Sequence, residues 1–220
     1  MERRLAEGKP EEAGTYTARA LAQTRRMATL IERLLDVSRI QSGRLELLLD
    51  AIDLGEVVRS AVEAAQVLPK SPPVAMRAAP EPILVRADRD RLEQVFLNLL
   101  VNASEHGSGN GSIDVTVRSK DGHAEVTVRD HGPGVAAENI RTMFDAYTRL
   151  GHPQRAAGLG LGLFVAREIV TAHGGEIDAT SRVGKGTTMT VRLPLAERRA
   201  ARGRRKAPSR AGARGTSSSR

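Results

Sequence analysis

Cysteine is absent from the 220 residues. Disulfides and thiolate metal centres are therefore excluded, and the composition fits a reducing interior. No apolar run approaches the roughly 20 residues that cross a bilayer, and Met1-Glu-Arg-Arg4 is not followed by an apolar stretch. Neither a membrane span nor a secretory signal is expected, and the expected location is cytoplasmic. Aromatic residues are scarce, three Phe and two Tyr with no Trp, so any two that stand close together draw notice.

Acidic charge is missing from one end only. Residues 196–220 hold nine of the 34 Lys and Arg but a single one of the 26 acids, Glu197, which leaves 25 of each sign in residues 1–195 and puts the whole net charge of +8 on the tail. From Glu197 onward there is no Leu, Ile, Val or aromatic residue. Such a segment cannot bury enough apolar surface to offset the entropy of ordering, so a disordered tail is expected over 196–220. A neutral body with a solvated basic extension gives no reason to expect a specific nucleic-acid partner.

Length allows one fair-sized core with a helical appendage. Met27, Leu30, Ile31, Leu34, Leu35, Val37 and Ile40 recur at helical spacing without proline, predicting a long helix from about Tyr16 to Leu49. Its apolar stripe must pack on another helix, in a bundle or in a dimer, or else serve as a core helix of a single globule. Asp53 is placed to cap a second helix reaching about Leu68, where Pro69, Pro72 and Pro73 intervene. Short strands are predicted near Val74–Arg77 and Ile83–Arg86, then a helix from Asp88 to about His106. Alternation at Ile113, Val115 and Val117, and again at Ala124, Val126 and Val128 beyond Asp121-Gly122, predicts a hairpin. A short helix over Ala137–Phe144, a helix over Leu161–His173 stopped by Gly174-Gly175, and strands over Glu176–Ser181 and Thr187–Leu193 complete the pattern.

Four separated segments carry candidate chemistry: Asn98-Leu-Leu-Val-Asn102, Asp130-His-Gly-Pro-Gly134, Gly158-Leu-Gly-Leu-Gly162 and Gly184-Lys-Gly-Thr187. Asn98 and Asn102 share a helix face and offer amide oxygens suited to a hard cation already bound to phosphate, such as magnesium. Asp130, at the end of a predicted strand, can accept a hydrogen bond from an exocyclic amino group of a base, while Gly132 and Gly134 allow close backbone approach. Gly158, Gly160 and Gly162 open a helix whose first amides favour phosphate oxygens. The cluster is not a Walker loop, because no Gly-Lys-Ser or Gly-Lys-Thr closes it. Thr187 or Thr188 could reach a base edge through a hydroxyl or a water. Phe144 and Tyr147 read as packing beneath this region.

Taken together, in this order and with these intervals, the segments resemble the Bergerat-type ATP-binding domain shared by histidine kinases, gyrase and MutL, over about Asp53 to Leu195. The kinase branch is the better match. Asn98 stands where gyrase-like hydrolases carry the Glu that activates water, and Ser38-Arg-Ile-Gln-Ser-Gly43 looks like the end of the second helix of a histidine-kinase dimerisation hairpin. The resemblance implies an α/β two-layer sandwich, a mostly antiparallel sheet with helices on one face, preceded by a long helix. It divides the chain into a partial dimerisation and phosphotransfer segment (1–52), an ATP-binding catalytic domain (53–195) and the tail (196–220).

The same resemblance implies ATP and Mg2+ as cofactors, with Asn102 as the metal ligand, Asp130 on the adenine amino group, and residues 149–157 as a mobile lid. It implies a response regulator receiver domain as partner and a homodimer through the N-terminal helix. Three positions depart from the family pattern: Glu105 stands where a Lys is frequent, Leu159 where Ser or Thr is, and Ala157 where Gly is. A cation near phosphate would then be missing or come from Arg149 or Arg155. None of the five histidines, His106, His123, His131, His152 and His173, lies where the phosphoacceptor would be, so the expected protein is a truncated or degenerate sensor kinase that transfers the γ-phosphate to a histidine outside this chain. A non-catalytic ATP-binding module and an anti-sigma-type kinase are the alternatives.

Overall fold

The computed structural model describes residues 10–68, 71–107, 111–148 and 159–196. The expected lid (149–157), the candidate Gly158 and the basic tail from Glu197 lie outside the described residues.

Helix α1 (Pro10–Gln41) comes first. It begins before the predicted Tyr16 and stops well short of Leu49. The reason is a C-terminal cap: Gly43 takes φ +66, its N–H bonds the carbonyl of Ile40 at 3.0 Å, and the N–H of Arg44 bonds that of Arg39 at 2.8 Å. That pattern is a Schellman motif, and it overrides the apolar run Leu45 to Leu49 that the periodicity had extended into helix. Strand β1 (Asp50–Asp53) follows, unforeseen from sequence, and pairs antiparallel with β3 (Leu84–Ala87).

Helix α2 (Leu54–Gln66) starts at Asp53, whose carboxylate accepts the N–H of Gly55 at 3.0 Å and that of Ile83 at 3.1 Å. Strand β2 (Val74–Ala78) leads through β3 to helix α3 (Arg89–His106). Then come the hairpin β4 (Ile113–Lys120) and β5 (His123–Arg129), a one-turn helix α4 (Ala137–Ile140), helix α5 (Gly162–Ala172), and the hairpin β6 (Glu176–Arg182) and β7 (Gly186–Pro194). The helix expected to reach Phe144 is over by Ile140, and the chain continues in turns to Tyr147.

The five-stranded sheet has the order β2-β4-β5-β7-β6, with β2 parallel to β4 and every other pair antiparallel. One face packs under α2, α3 and α5. Val57, Val58, Ala61 and Val62 of α2, Leu92, Val95, Phe96, Leu99 and Leu100 of α3, and Val165, Ala166, Ile169 and Val170 of α5 meet Val115, Val117, Val126, Val128, Met189 and Val191 from the strands. Helical spacing on one side and period-two alternation on the other produce a single apolar seam.

The opposite sheet face is polar. Arg118, Glu125 and Arg192 stand in register across β4, β5 and β7, and the Arg118 and Arg192 guanidiniums clasp the Glu125 carboxylate at 2.9 and 3.2 Å. A hydrogen bond from Arg118 holds Glu125 below the usual carboxylate pKa against the cost of its burial, and Glu125 in turn raises Arg192. The chain leaves β7 past Leu195, which bridges Val85, and Ala196, whose N–H bonds Leu84 O at 2.8 Å.

Among the described residues, the last turns of α1 are the part of it that is buried against this sandwich. Val37 enters the core, and Asp36 is 6% exposed. Its two oxygens accept from Arg91 Nη1 at 2.8 Å and Gln94 Nε2 at 2.6 Å, both on α3. Beside Arg91, Asp88 caps α3 through the Arg91 N–H (3.1 Å) and holds the Leu48 N–H (3.0 Å). The Asp88 N–H donates to His173 Nε2 at 3.0 Å, so His173 carries its proton on Nδ1, which donates to Ile169 O at 2.7 Å.

Candidate functional site

Asp130 leaves β5 at 5% exposure. Its Oδ1 accepts the N–H of Gly132 at 2.8 Å and of Thr187 at 3.3 Å, and its own N–H donates to Thr187 O at 2.9 Å. Among the described residues none bonds Oδ2 of this acceptor-only group. The carboxylate is thus fixed by main chain through one oxygen.

The glycines around it are required by packing. A Cβ on Gly132 would lie 2.5 Å from His106 O and 2.9 Å from Gly107 Cα, at the end of α3. Gly134 has φ +71 and abuts the Arg182 carbonyl, while Gly186 has φ +83 and abuts that of Asp130. Side chains at these places would push the three segments apart. The sequence suggested only the ligand-side role, because the approach partners are distant in the chain.

Thr187, not Thr188, lies on the same side of the sheet as the helices. Thr187 is 6% exposed and faces the helices with Met189 and Val191, whereas Thr188 points to the other sheet face opposite Arg129 and Thr180. The Thr187 hydroxyl lies 3.0 Å from Ser181 Oγ. Ser181, which the sequence did not single out, also accepts the Val135 N–H at 2.8 Å and donates to Gly186 O at 2.9 Å. No local signal marks it. A serine in a strand becomes informative only once the β6–β7 register and the 130–135 loop are known.

On the far side, Asn98 is buried and Asn102 half-buried on α3. Asn98 Oδ1 is 3.6 Å from where a Gly162 Cβ would be, so the first residue of α5 sits against the Asn98 amide. Gly160 has φ +70, and its carbonyl accepts the Tyr147 N–H at 3.1 Å. Phe144 is buried as expected. Tyr147 is not: it is 59% exposed with φ +65, and its backbone rather than its ring makes the link to Gly160. The positive φ, rare for an aromatic residue, turns the side chain outward.

The structure therefore gathers Asp130, Gly132, Gly134 and Thr187 at the ends of the central strands β5 and β7, with Gly132 against His106 and Gly107 at the end of α3, while Asn98, beside Gly162, and Asn102 lie one and two turns back along the same helix. The sequence profile described as "Histidine kinase-, DNA gyrase B-, and HSP90-like ATPase" matches residues 87–197. The chain belongs to this ATPase family. Among curated relatives it is 38% identical over 169 residues to the histidine protein kinase DivJ of Caulobacter vibrioides, covering 76% of this chain and 28% of DivJ. It is 35% identical over 197 residues to the sensor histidine kinase ZraS of Klebsiella oxytoca, covering 88% of this chain and 40% of ZraS. The chain thus spans well under half the length of either relative. Of solved structures, full-length ShkA in complex with AMPPNP superposes with a TM-score of 0.70 at 26% identity, over 84% of this chain and 39% of that one. The catalytic domain of the histidine kinase ThkA does so with 0.58 at 28% identity, over 66% and 95%.

The matched residues 87–197 include all four of the candidate segments. The expected α/β sandwich is present, its sheet mixed through the β2–β4 pair.

Proposed function

We propose that this chain is the ATP-binding catalytic region of a sensor histidine kinase, passing the γ-phosphoryl group of ATP to a histidine outside the residues that bind the nucleotide. The observation that carries the reading is the Asp130 carboxylate, buried and anchored through Oδ1 by two amides, with no bond to Oδ2 among the described residues. An acceptor held in this way fits the amino group of adenine. Thr187 would stand beside it, and Gly132 and Gly134 would keep the loop tight against α3 and β6.

Mg2+ fits the donor set on the α3 face. Among the described residues no group of three or more His, Cys, Asp or Glu could hold a metal, whereas the Asn98 and Asn102 amides offer neutral oxygens to a cation that takes most of its remaining ligands from phosphates and water. Asn102 would be the ligand, with Asn98 one turn before it on α3 and beside Gly162, the first residue of α5. The amides of Gly160 and Gly162, with Gly158 before them, would face phosphate. Bound ATP supplies the phosphoryl group, and the chain's own contribution is positioning and charge stabilisation. An amide at position 98 cannot take a proton from water, which disfavours a gyrase-type hydrolase.

No histidine lies in α1. His173 is committed to Asp88 and Ile169, and His131 pairs with Asp114 at 2.8 Å. The phosphoacceptor would come from another segment or another chain. The exposed Met27, Ile31, Leu34 and Leu35 support a homodimer through α1. A response regulator receiver domain would take the phosphoryl group onward, in the cytoplasm where ATP is available.

Calorimetric titration with Mg-ATP tests the site. Asp130→Asn is expected to weaken binding by about 100-fold, the scale of a hydrogen bond to a charged group; equally weak binding by parent and variant would remove the assignment. With γ-labelled ATP, the purified chain is expected to acquire no acid-labile histidine label. Labelling would show that one of its own histidines is the acceptor.

A further inference from the structure

Helix α3 carries a polar stripe beside its core face. Arg91, Gln94, Asn98 and Glu105 recur at helical spacing with Asn102 next to them, while Leu92, Val95, Phe96, Leu99, Leu100 and Ala103 are buried on the other side. Arg91 and Gln94 are engaged by Asp36, and Asn98 lies against Gly162. Glu105 closes the stripe. Its side chain is exposed, and among the described residues no cation pairs with it.

The last turn of α3, which holds Glu105, borders the Asp130 loop. A Cβ on Gly132 would lie 2.5 Å from His106 O, and one on Gly107 would lie 3.7 Å from Asp130 Cβ. Asn102 precedes Glu105 by three residues, a spacing that sets Cβ atoms about 5–6 Å apart on a helix. A nucleotide with its base on Asp130 and its metal on Asn102 therefore spans this turn, and its phosphates share the space with the Glu105 carboxylate. That carboxylate offers lone pairs and a negative charge. Bare phosphate oxygens are repelled by it, whereas a divalent cation between the two reverses the sign, because Mg2+ keeps waters that donate to a carboxylate.

We propose that Glu105 is a specificity-determining residue for the charge state of the ligand: it penalises metal-free triphosphate and admits the magnesium complex, so that nucleotide binding is conditional on the cation. The inference rests on the reading of Asp130 and Asn102 as contacts to base and metal. The amides at 98 and 102 are neutral and attract the cation without repelling bare phosphate. The selectivity therefore comes from position 105.

The test titrates the full chain with ATP in Mg2+ and again in EDTA. The parent is expected to bind at least about 100-fold more tightly with Mg2+. Glu105→Gln, which keeps the size but not the charge, should strengthen binding in EDTA and shrink the Mg2+-to-EDTA ratio about tenfold; Glu105→Lys should shrink it further, and Glu105→Asp should keep it. Added salt should narrow the gap between parent and Glu105→Gln. Melting temperatures of the variants should match the parent, since the side chain is exposed. Two results would overturn the proposal: an unchanged ratio in Glu105→Gln, which places the carboxylate beyond the reach of phosphate, or equal weakening under both conditions, which marks a structural role only. A parent chain that binds no ATP even with Mg2+ would instead remove the underlying site assignment, and this proposal with it.

Discussion

In α1, Tyr16, Leu21, Met27, Ile31 and Leu34 lie exposed along a helix of 32 residues, whereas in α3 Leu92, Val95, Phe96, Leu99 and Leu100 are wholly buried along 18. Both helices have apolar residues at helical spacing. What separates them is a surface to cover the stripe: α3 has the sheet and α5, while among the described residues the buried part of α1 is Asp36 and Val37. Its attachment is correspondingly polar, an Asp36 carboxylate shared by Arg91 and Gln94. A groove of about 560 Å³ between the two helices, lined by Glu32, Leu35, Arg39 and Leu97 among others, leaves the rest of the contact loose. The same periodicity thus produces a core helix in one place and an attached arm in the other.

The sharpest way to break the comparison is a cavity. Leu99→Ala should cost about 3–5 kcal/mol and lower the melting temperature of the sandwich, whereas Met27→Ala, at a residue 62% exposed, should leave it within about 0.5 kcal/mol in a monomer. A comparable loss from Met27→Ala at all protein concentrations would mean that α1 belongs to the core. If the loss instead appears only at concentrations where the chain associates, the apolar stripe of α1 is a contact between copies.

The polar attachment comes next. Asp36→Ala strands the Arg91 guanidinium and should loosen α1 by about 1–3 kcal/mol. Amide exchange over residues 30–41 should quicken while exchange in α3 and α5 changes little. Uniform quickening through the sandwich would show that the two parts are not separable.

Asp88 refines the boundary between them by pH. Burial opposes its charged form, but the N–H groups of Leu48 and Arg91 and the charge of Arg91 outweigh that, so its folded pKa lies below the ordinary 3.8. Stability from the ionised group is therefore complete above the unfolded value and declines as pH falls from about 5 through the lower folded value. Asp88→Ala, which also removes the α3 cap, should cost about 1–2 kcal/mol at neutral pH. The gap between parent and variant should close in acid; a gap independent of pH would show that the charge contributes nothing.

The smallest effect is expected at Glu125. Its pKa is also lowered, first by the Arg118 hydrogen bond, but both guanidinium partners are substantially exposed and screened by water. Glu125→Gln should cost about 1 kcal/mol or less at neutral pH, again less toward acid, and addition of salt should reduce the difference further. A cost above that of the Leu99 cavity would place the polar sheet face among the main supports of the fold.

Much of this was legible in the sequence because it is local or periodic. The α2 cap at Asp53, the Asp121-Gly122 hairpin turn, the alternating strands and the stop after His173 all lie where short-range rules put them. The misses share a different cause. Strand β1 is short and half-polar, and exists because β3 is available to pair with it. The end of α1 is set by the φ of Gly43 against a run of leucines that still reads as helix. Tyr147 was expected to pack, but its backbone geometry turns it out. For the site, the residue types of Asp130, Thr187 and the two asparagines were informative in themselves. Their mutual arrangement, and the part of Ser181 in it, depends on contacts between segments some 50 residues apart.

Strand β3 has β1 along one side and meets Leu195 through an isolated bridge on Val85. The sandwich therefore receives the chain and releases it at the same small patch, away from the strand ends that gather Asp130 and Thr187. A unit with neighbouring entry and exit points can be spliced into a loop of a host protein, or have its ends joined by a short linker and be reopened in a surface turn such as Asp121-Gly122, without disturbing the seam between sheet and helices.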